Sequence, residues 1–111
     1  MSNWAEIDNN NIVLRVTVGD NNSPDEGYQW LVDNLGGTWI KTSYNANIRG
    51  KYAGIGDTYN AEEDIFIAPQ PFPSWTRSGS FWNPPTPMPT TEDKFYYWSE
   101  DDLSWREITN D

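Results

Sequence analysis

Two acidic triplets, Glu62-Glu63-Asp64 and Glu100-Asp101-Asp102, are the residues of this chain best suited by type and spacing to do chemistry. A pair of carboxylates can act as acid and base in glycoside hydrolysis. Both triplets fall in segments that read as exposed hairpin turns, where nothing raises the pKa of an acid partner, so both are read as solvated charge. The chain has no histidine. That removes the usual general base, the Ser-His and Cys-His nucleophiles, and the commonest transition-metal ligand. It also has no cysteine, so it can form no disulfide or thiolate site, and the redox compartment stays open. The stretch DNNSPDEG from Asp20 spaces oxygen ligands as a calcium loop would. It lacks the glycine at position six and the glutamate at position twelve that such a loop requires. No enzyme activity, cofactor or metal is expected.

The aromatic residues permit a different function. Seven Trp and six Tyr are more than a domain this small can bury completely. Exposed rings can stack on a glycan or enter a protein interface, and interfaces favour Trp, Tyr and Met. Seven of the eight prolines lie between residues 66 and 89, among phenylalanines and tryptophans. An extended proline segment docks with little ordering entropy to lose. The partner-binding contacts are therefore expected from Trp75, Trp82, Pro84, Pro85, Met88 and Trp98.

These residues must be positioned by recognisable elements. Ile12, Leu14, Val16 and Val18 alternate with Arg15 and Thr17, which predicts a strand with those four on one face. Asp8-Asn9-Asn10-Asn11 supplies a hairpin turn, and residues 3–7 its first strand. In SPDEGYQWLVDNLGG, Ser23 reads as a cap, Pro24 as the first helical position and Glu26 as the end of a capping box. Tyr28, Leu31, Val32 and Leu35 then form one apolar stripe, with Trp30 at its edge, and Gly36-Gly37 stops the helix. Residues 38–44 alternate again and are expected to pair with the first hairpin beneath the helix. The glycine-rich run from 50 to 56 lacks the context of a phosphate loop and reads as a tightly turning connection.

Three aromatic pairs follow, each seven residues apart: Tyr59 and Phe66, Trp75 and Trp82, Trp98 and Trp105. Each brackets a polar, turn-forming hexapeptide, so each pair can face across an antiparallel hairpin. The first two run into the proline-punctuated stretches IAPQPFP and NPPTPMP. The expected fold is α+β and mostly β: an antiparallel sheet with one covering helix at about 23–36, then Pro-rich struts and short aromatic hairpins. Residues 1–58 form the compact body and 59–111 the arm.

Composition bounds the rest. The chain has 111 residues, enough for one folding unit overall. Leu, Ile, Val and Phe account for only 20 of them, and the net charge is −10. Those two values alone fall on the disordered side. The aromatic content and the clear periodicity argue for a folded chain instead. With 7 basic against 17 acidic residues, nucleic acid and anionic membranes are not expected as partners. The opening MSNWAEIDNN lacks a signal-peptide pattern, and a soluble protein is expected.

The segments WAEIDNNNIVLRVTVGDNN, GGTWIKTSYNANIRGKYAGIGDTY, FIAPQPFPSW and PPTPMP closely resemble small proteins of tailed phages that infect marine cyanobacteria and other ocean bacteria. The resemblance runs from Trp4 to about Trp105, and its opening is similar to an N-terminal hairpin module of tail-fibre proteins. Related sequences often carry a longer acidic insertion before the helix, whereas this chain passes directly from GDNN into SPDEG. The resemblance implies a place in the virion, as capsid decoration or as a tail- or fibre-associated subunit, with other phage structural proteins as partners in an oligomeric particle. It supplies no catalytic motif. A glycan-binding module for the host surface and an intracellular inhibitor of a host factor are the alternatives.

Overall fold

A computed structural model describes residues 2–108. Residue 1 and residues 109–111, the outer ends of the two segments expected from the sequence, lie outside the described residues. Among the described residues the protein is α+β and mostly β, with nine short strands in four antiparallel sheets and one helix. The chain divides into two compact units, Met1–Pro69 and Gln70–Asp111.

The first unit is built on a three-stranded sheet. β1 (Ser2–Ile7) lies between β2 (Val13–Gly19) and β3 (Thr38–Thr42), antiparallel to both. The turn between β1 and β2 forms where the asparagine run predicts it. Asp8 Oδ1 accepts the amides of Asn10 and Ile12 at 2.8 and 3.0 Å, and Asn11 takes a left-handed conformation. Because β1 is central, both of its faces are covered, and neighbouring residues serve opposite layers. Trp4 packs with Leu31 and Trp39 beneath the helix. Ala5 and Ile7 pack on the other side with Val13, Ala53 and Phe66.

Strand β2 departs from the expected alternation. Glu6 pairs with Arg15 but Ile7 pairs with Val13, so Leu14 is an extra residue in a β-bulge. The bulge moves Val13 into the core, leaves Leu14 and Val18 exposed, and keeps only Val16 packed against the core from the face predicted for Ile12, Leu14, Val16 and Val18. Ile12 instead bridges to Thr58.

The helix is shorter than expected. α1 spans Tyr28–Leu35, not 23–36. Glu26 and Gly27 have φ values of 58° and 91°, and two left-handed residues in succession cannot begin a right-handed helix there. Gly27, not Ser23, is the N-cap residue, and the Asp25 carboxylate before it accepts the Gln29 amide at 2.9 Å and the Gly27 amide at 3.1 Å, while Ser23 Oγ donates to it at 2.8 Å. Gly27 is required by more than its φ. A Cβ placed on it would come within 2.5 Å of the Asp20 backbone nitrogen. Leu31 is buried and Val32 packs beside it, whereas Tyr28 and Leu35 stay partly exposed at the margins of the stripe. Trp30 projects into solvent and does not line the core edge. Gly36 and Gly37, both at positive φ, end the helix where the sequence places its stop, although Gly36 with ψ −165° is not in the left-handed helical region.

Residues 43–57 form an irregular connection tied to the sheet by polar contacts. Thr42 Oγ1 accepts the Ala53 amide at 2.9 Å, and the buried Asp57 pairs with Lys51 while accepting the Gly54 amide at 2.7 Å. The hairpin of β4 (Thr58–Asn60) and β5 (Ile65–Ile67) follows. Tyr59 and Phe66 are directly opposed, with ring centroids 5.4 Å apart. Phe66 is fully buried in the core of the first unit, so this first aromatic hairpin belongs to the body and the division falls after Pro69.

Candidate functional site

The second unit contains every residue that the sequence nominates for partner binding. It carries two hairpins, β6 (Thr76–Ser78) with β7 (Phe81–Asn83), and β8 (Tyr96–Ser99) with β9 (Ser104–Glu107). The residues between them, 84–95, form neither strand nor helix.

In β8–β9 a four-residue loop sets Trp98 directly opposite Trp105, with centroids 5.3 Å apart. Trp75 stands edge-on to both rings, 5.9 Å from Trp98 and 6.1 Å from Trp105. Phe72 lies 5.7 Å from Trp75 and 6.5 Å from Trp98, completing a four-ring cluster. Tilted and edge-on pairs of this kind contribute roughly 0.5–1.5 kcal/mol each beyond their buried area. Glu100 holds the cluster from its rim. It accepts Trp98 Nε1 at 2.9 Å, Ser74 Oγ at 2.7 Å and the Ser74 amide at 3.0 Å. Those donors, the Trp98 indole foremost, hold its carboxyl below the ordinary 4.5. Trp105 Nε1 donates to the Thr86 carbonyl at 2.8 Å and so fastens the proline segment to the hairpin.

Trp75 and Trp98 are thus brought together, but as the packing of their own unit. Trp98 is 6% exposed, which leaves it no surface for docking. The pairing expected between Trp75 and Trp82 does not form. A two-residue turn at Gly79-Ser80 opposes Trp82 to Arg77 and leaves Trp75 beyond the end of β6, free to join the ring cluster. Trp82 and Pro84 are half-buried, while Pro85 and Met88 are exposed. The surface also carries Phe81, Phe95, Tyr97, Leu103 and Ile108, which the sequence reading passed over. Strand alternation held the signal for two of them: Tyr97 must point away from the face that buries Trp98, and Phe81 away from Trp82.

The acidic triplets are occupied with local structure. Asp64 accepts the Tyr59 hydroxyl at 2.5 Å and Arg49 Nε at 2.8 Å, and Asp102 pairs with Arg106 and with Ser99 Oγ. Asp64, Glu100 and Asp102 are all held below the ordinary carboxylate range by these donors, opposite to what the acid partner of a glycosidase needs. In the stretch considered for calcium, Asp20 accepts the Asn22 amide at 2.9 Å, Asp25 accepts the Gln29 amide and Glu26 pairs with Lys41. Among the described residues no group of three or more acidic side chains is placed to hold a metal ion, and no helix is long and apolar enough to cross a membrane. No family model, curated protein or solved structure matches this chain.

Proposed function

We propose that this protein is a non-enzymatic accessory subunit of a tailed-phage particle, decorating the capsid or attached to the tail or its fibres. It docks on neighbouring protein subunits through its second unit. One observation carries the docking reading. This small unit uses its tryptophans for internal packing and still exposes Phe81, Met88, Phe95, Tyr97, Leu103 and Ile108, with Phe95 73% exposed. Large apolar side chains at this density are characteristic of surfaces that meet a partner. The particle itself is suggested by the sequence resemblance. In a particle many copies bind at once, so modest contacts per copy are sufficient.

The docking surface is tested with Phe95→Ser and Met88→Ser. Both side chains are exposed, so each variant is expected to keep its stability within about 0.5 kcal/mol. Particles assembled with the double variant are expected to carry at least about tenfold fewer copies, the effect of losing about 1.4 kcal/mol of contact. Unchanged occupancy would contradict the docking surface.

A further inference from the structure

We infer that a polar groove at one end of the three-stranded sheet, in the first unit, binds a neutral saccharide. β1 begins and β3 ends at this place, where Asn3 is paired with Thr42. A cavity of about 430 Å³ opens there, on the face of the sheet that carries Asn3. Its volume falls in the range of small-molecule sites.

The lining has the chemistry of sugar recognition. The cavity is bounded by Asn3, Ser43, Asn45, Asn47 and Tyr44. Amides and hydroxyls each offer both donors and acceptors, which matches the dual character of sugar hydroxyls. None of these lining side chains carries a full charge. The site therefore presents no cation of its own to an anionic ligand, and the −10 charge of the chain opposes one.

Tyr44 supplies the apolar half of the site. It is 75% exposed, although its ring is fixed edge-on against Tyr52 with centroids 5.4 Å apart. The Ser43 carbonyl accepts the Ala46 amide at 2.9 Å and closes the turn that presents the ring. A held ring with most of its surface open is a platform for the C–H face of a pyranose, while the phenol oxygen stays wet. A peptide ligand would need apolar pockets for its side chains, and hydroxyls and amides dominate this lining.

The test uses the full-length protein titrated with neutral hexose oligosaccharides and, separately, with uronic-acid oligosaccharides, monitored by ligand-observed NMR. Neutral sugars are expected to bind with Kd at or below about 1 mM, and the acidic ones at least about tenfold more weakly. Tyr44→Ala is expected to weaken binding at least about tenfold. Asn47→Ala, which leaves the Tyr44–Tyr52 contact intact, is expected to weaken it severalfold, with an unchanged melting temperature. Absence of binding to every neutral sugar at about 10 mM, tighter binding of the acidic series, or full affinity in Tyr44→Ala would each overturn the inference. The particle reading is measured on other residues and another unit, so either can fail alone.

Discussion

Glu100 concentrates at one carboxylate much of what holds the ring cluster together. Its pKa lies below 4.5 in the folded state, so the stabilisation it gives is complete above that value and is lost as pH falls through the folded pKa. Asp25, Asp64 and Asp102 are shifted in the same direction and add to the same acid limb. Calorimetric melts between about pH 6 and pH 3 are therefore expected to show Tm falling with acidification. Glu100→Gln should start from a lower Tm at the neutral end and fall less steeply, because its amide nitrogen cannot accept the donors that the carboxylate accepts. A variant curve parallel to the wild-type one would remove Glu100 from this role. Phe66 gives the corresponding test for the core: truncation of this fully buried ring to Ala is expected to cost about 3–5 kcal/mol in denaturant unfolding. Gly27→Ala should also destabilise strongly, by at least about 1–3 kcal/mol. Its Cβ would meet the backbone of Asp20 at a left-handed position.

At the scale of elements, the hairpins show how far the pattern of residues carries. A hairpin forms at each of the three places, but in only two does the seven-residue spacing give the aromatic pairing, Tyr59 with Phe66 and Trp98 with Trp105. In both, a four-residue loop centres the turn midway between the rings. Gly79-Ser80 makes a two-residue turn off that centre, so the Trp75–Trp82 spacing is coincidental, and composition alone does not reveal which turn a Ser-Gly-Ser stretch will choose. The helix and its glycine stop were legible. Its start was not, because Glu26 has a left-handed backbone and its carbonyl accepts Trp4 Nε1 at 3.0 Å, a contact between β1 and the segment before the helix that is remote in sequence. The bulge at Leu14 was hidden for the same reason: it is set by pairing with β1, not by local alternation. At the candidate site, two of the three tryptophans expected to dock, Trp75 and Trp98, pack in the ring cluster of their own unit, while Trp82 stays half-buried outside it. The link between Trp105 and Thr86 gives a test at this scale. Trp105→Phe keeps a ring but loses the hydrogen bond, and should cost about 0.5–1.5 kcal/mol. Trp30→Ala, at a side chain 61% exposed, should stay within about 0.5 kcal/mol of wild type.

Across the whole molecule, scarcity of aliphatic residues is offset by aromatic packing, in a sheet covered on both faces in one unit and a ring cluster in the other. The high negative charge opposes association with a polyanion, and the exposed apolar residues of the second unit are the surface proposed to meet protein. The most direct measurement is quantitative mass spectrometry of gradient-purified particles of the phage proposed to encode this sequence, with copy number scaled to the major capsid protein. The protein is expected to co-purify at defined stoichiometry, with hundreds of copies indicating capsid decoration and single digits to dozens a place on the tail or fibres. Its absence from purified particles, with abundant protein in infected-cell lysate, would contradict the account.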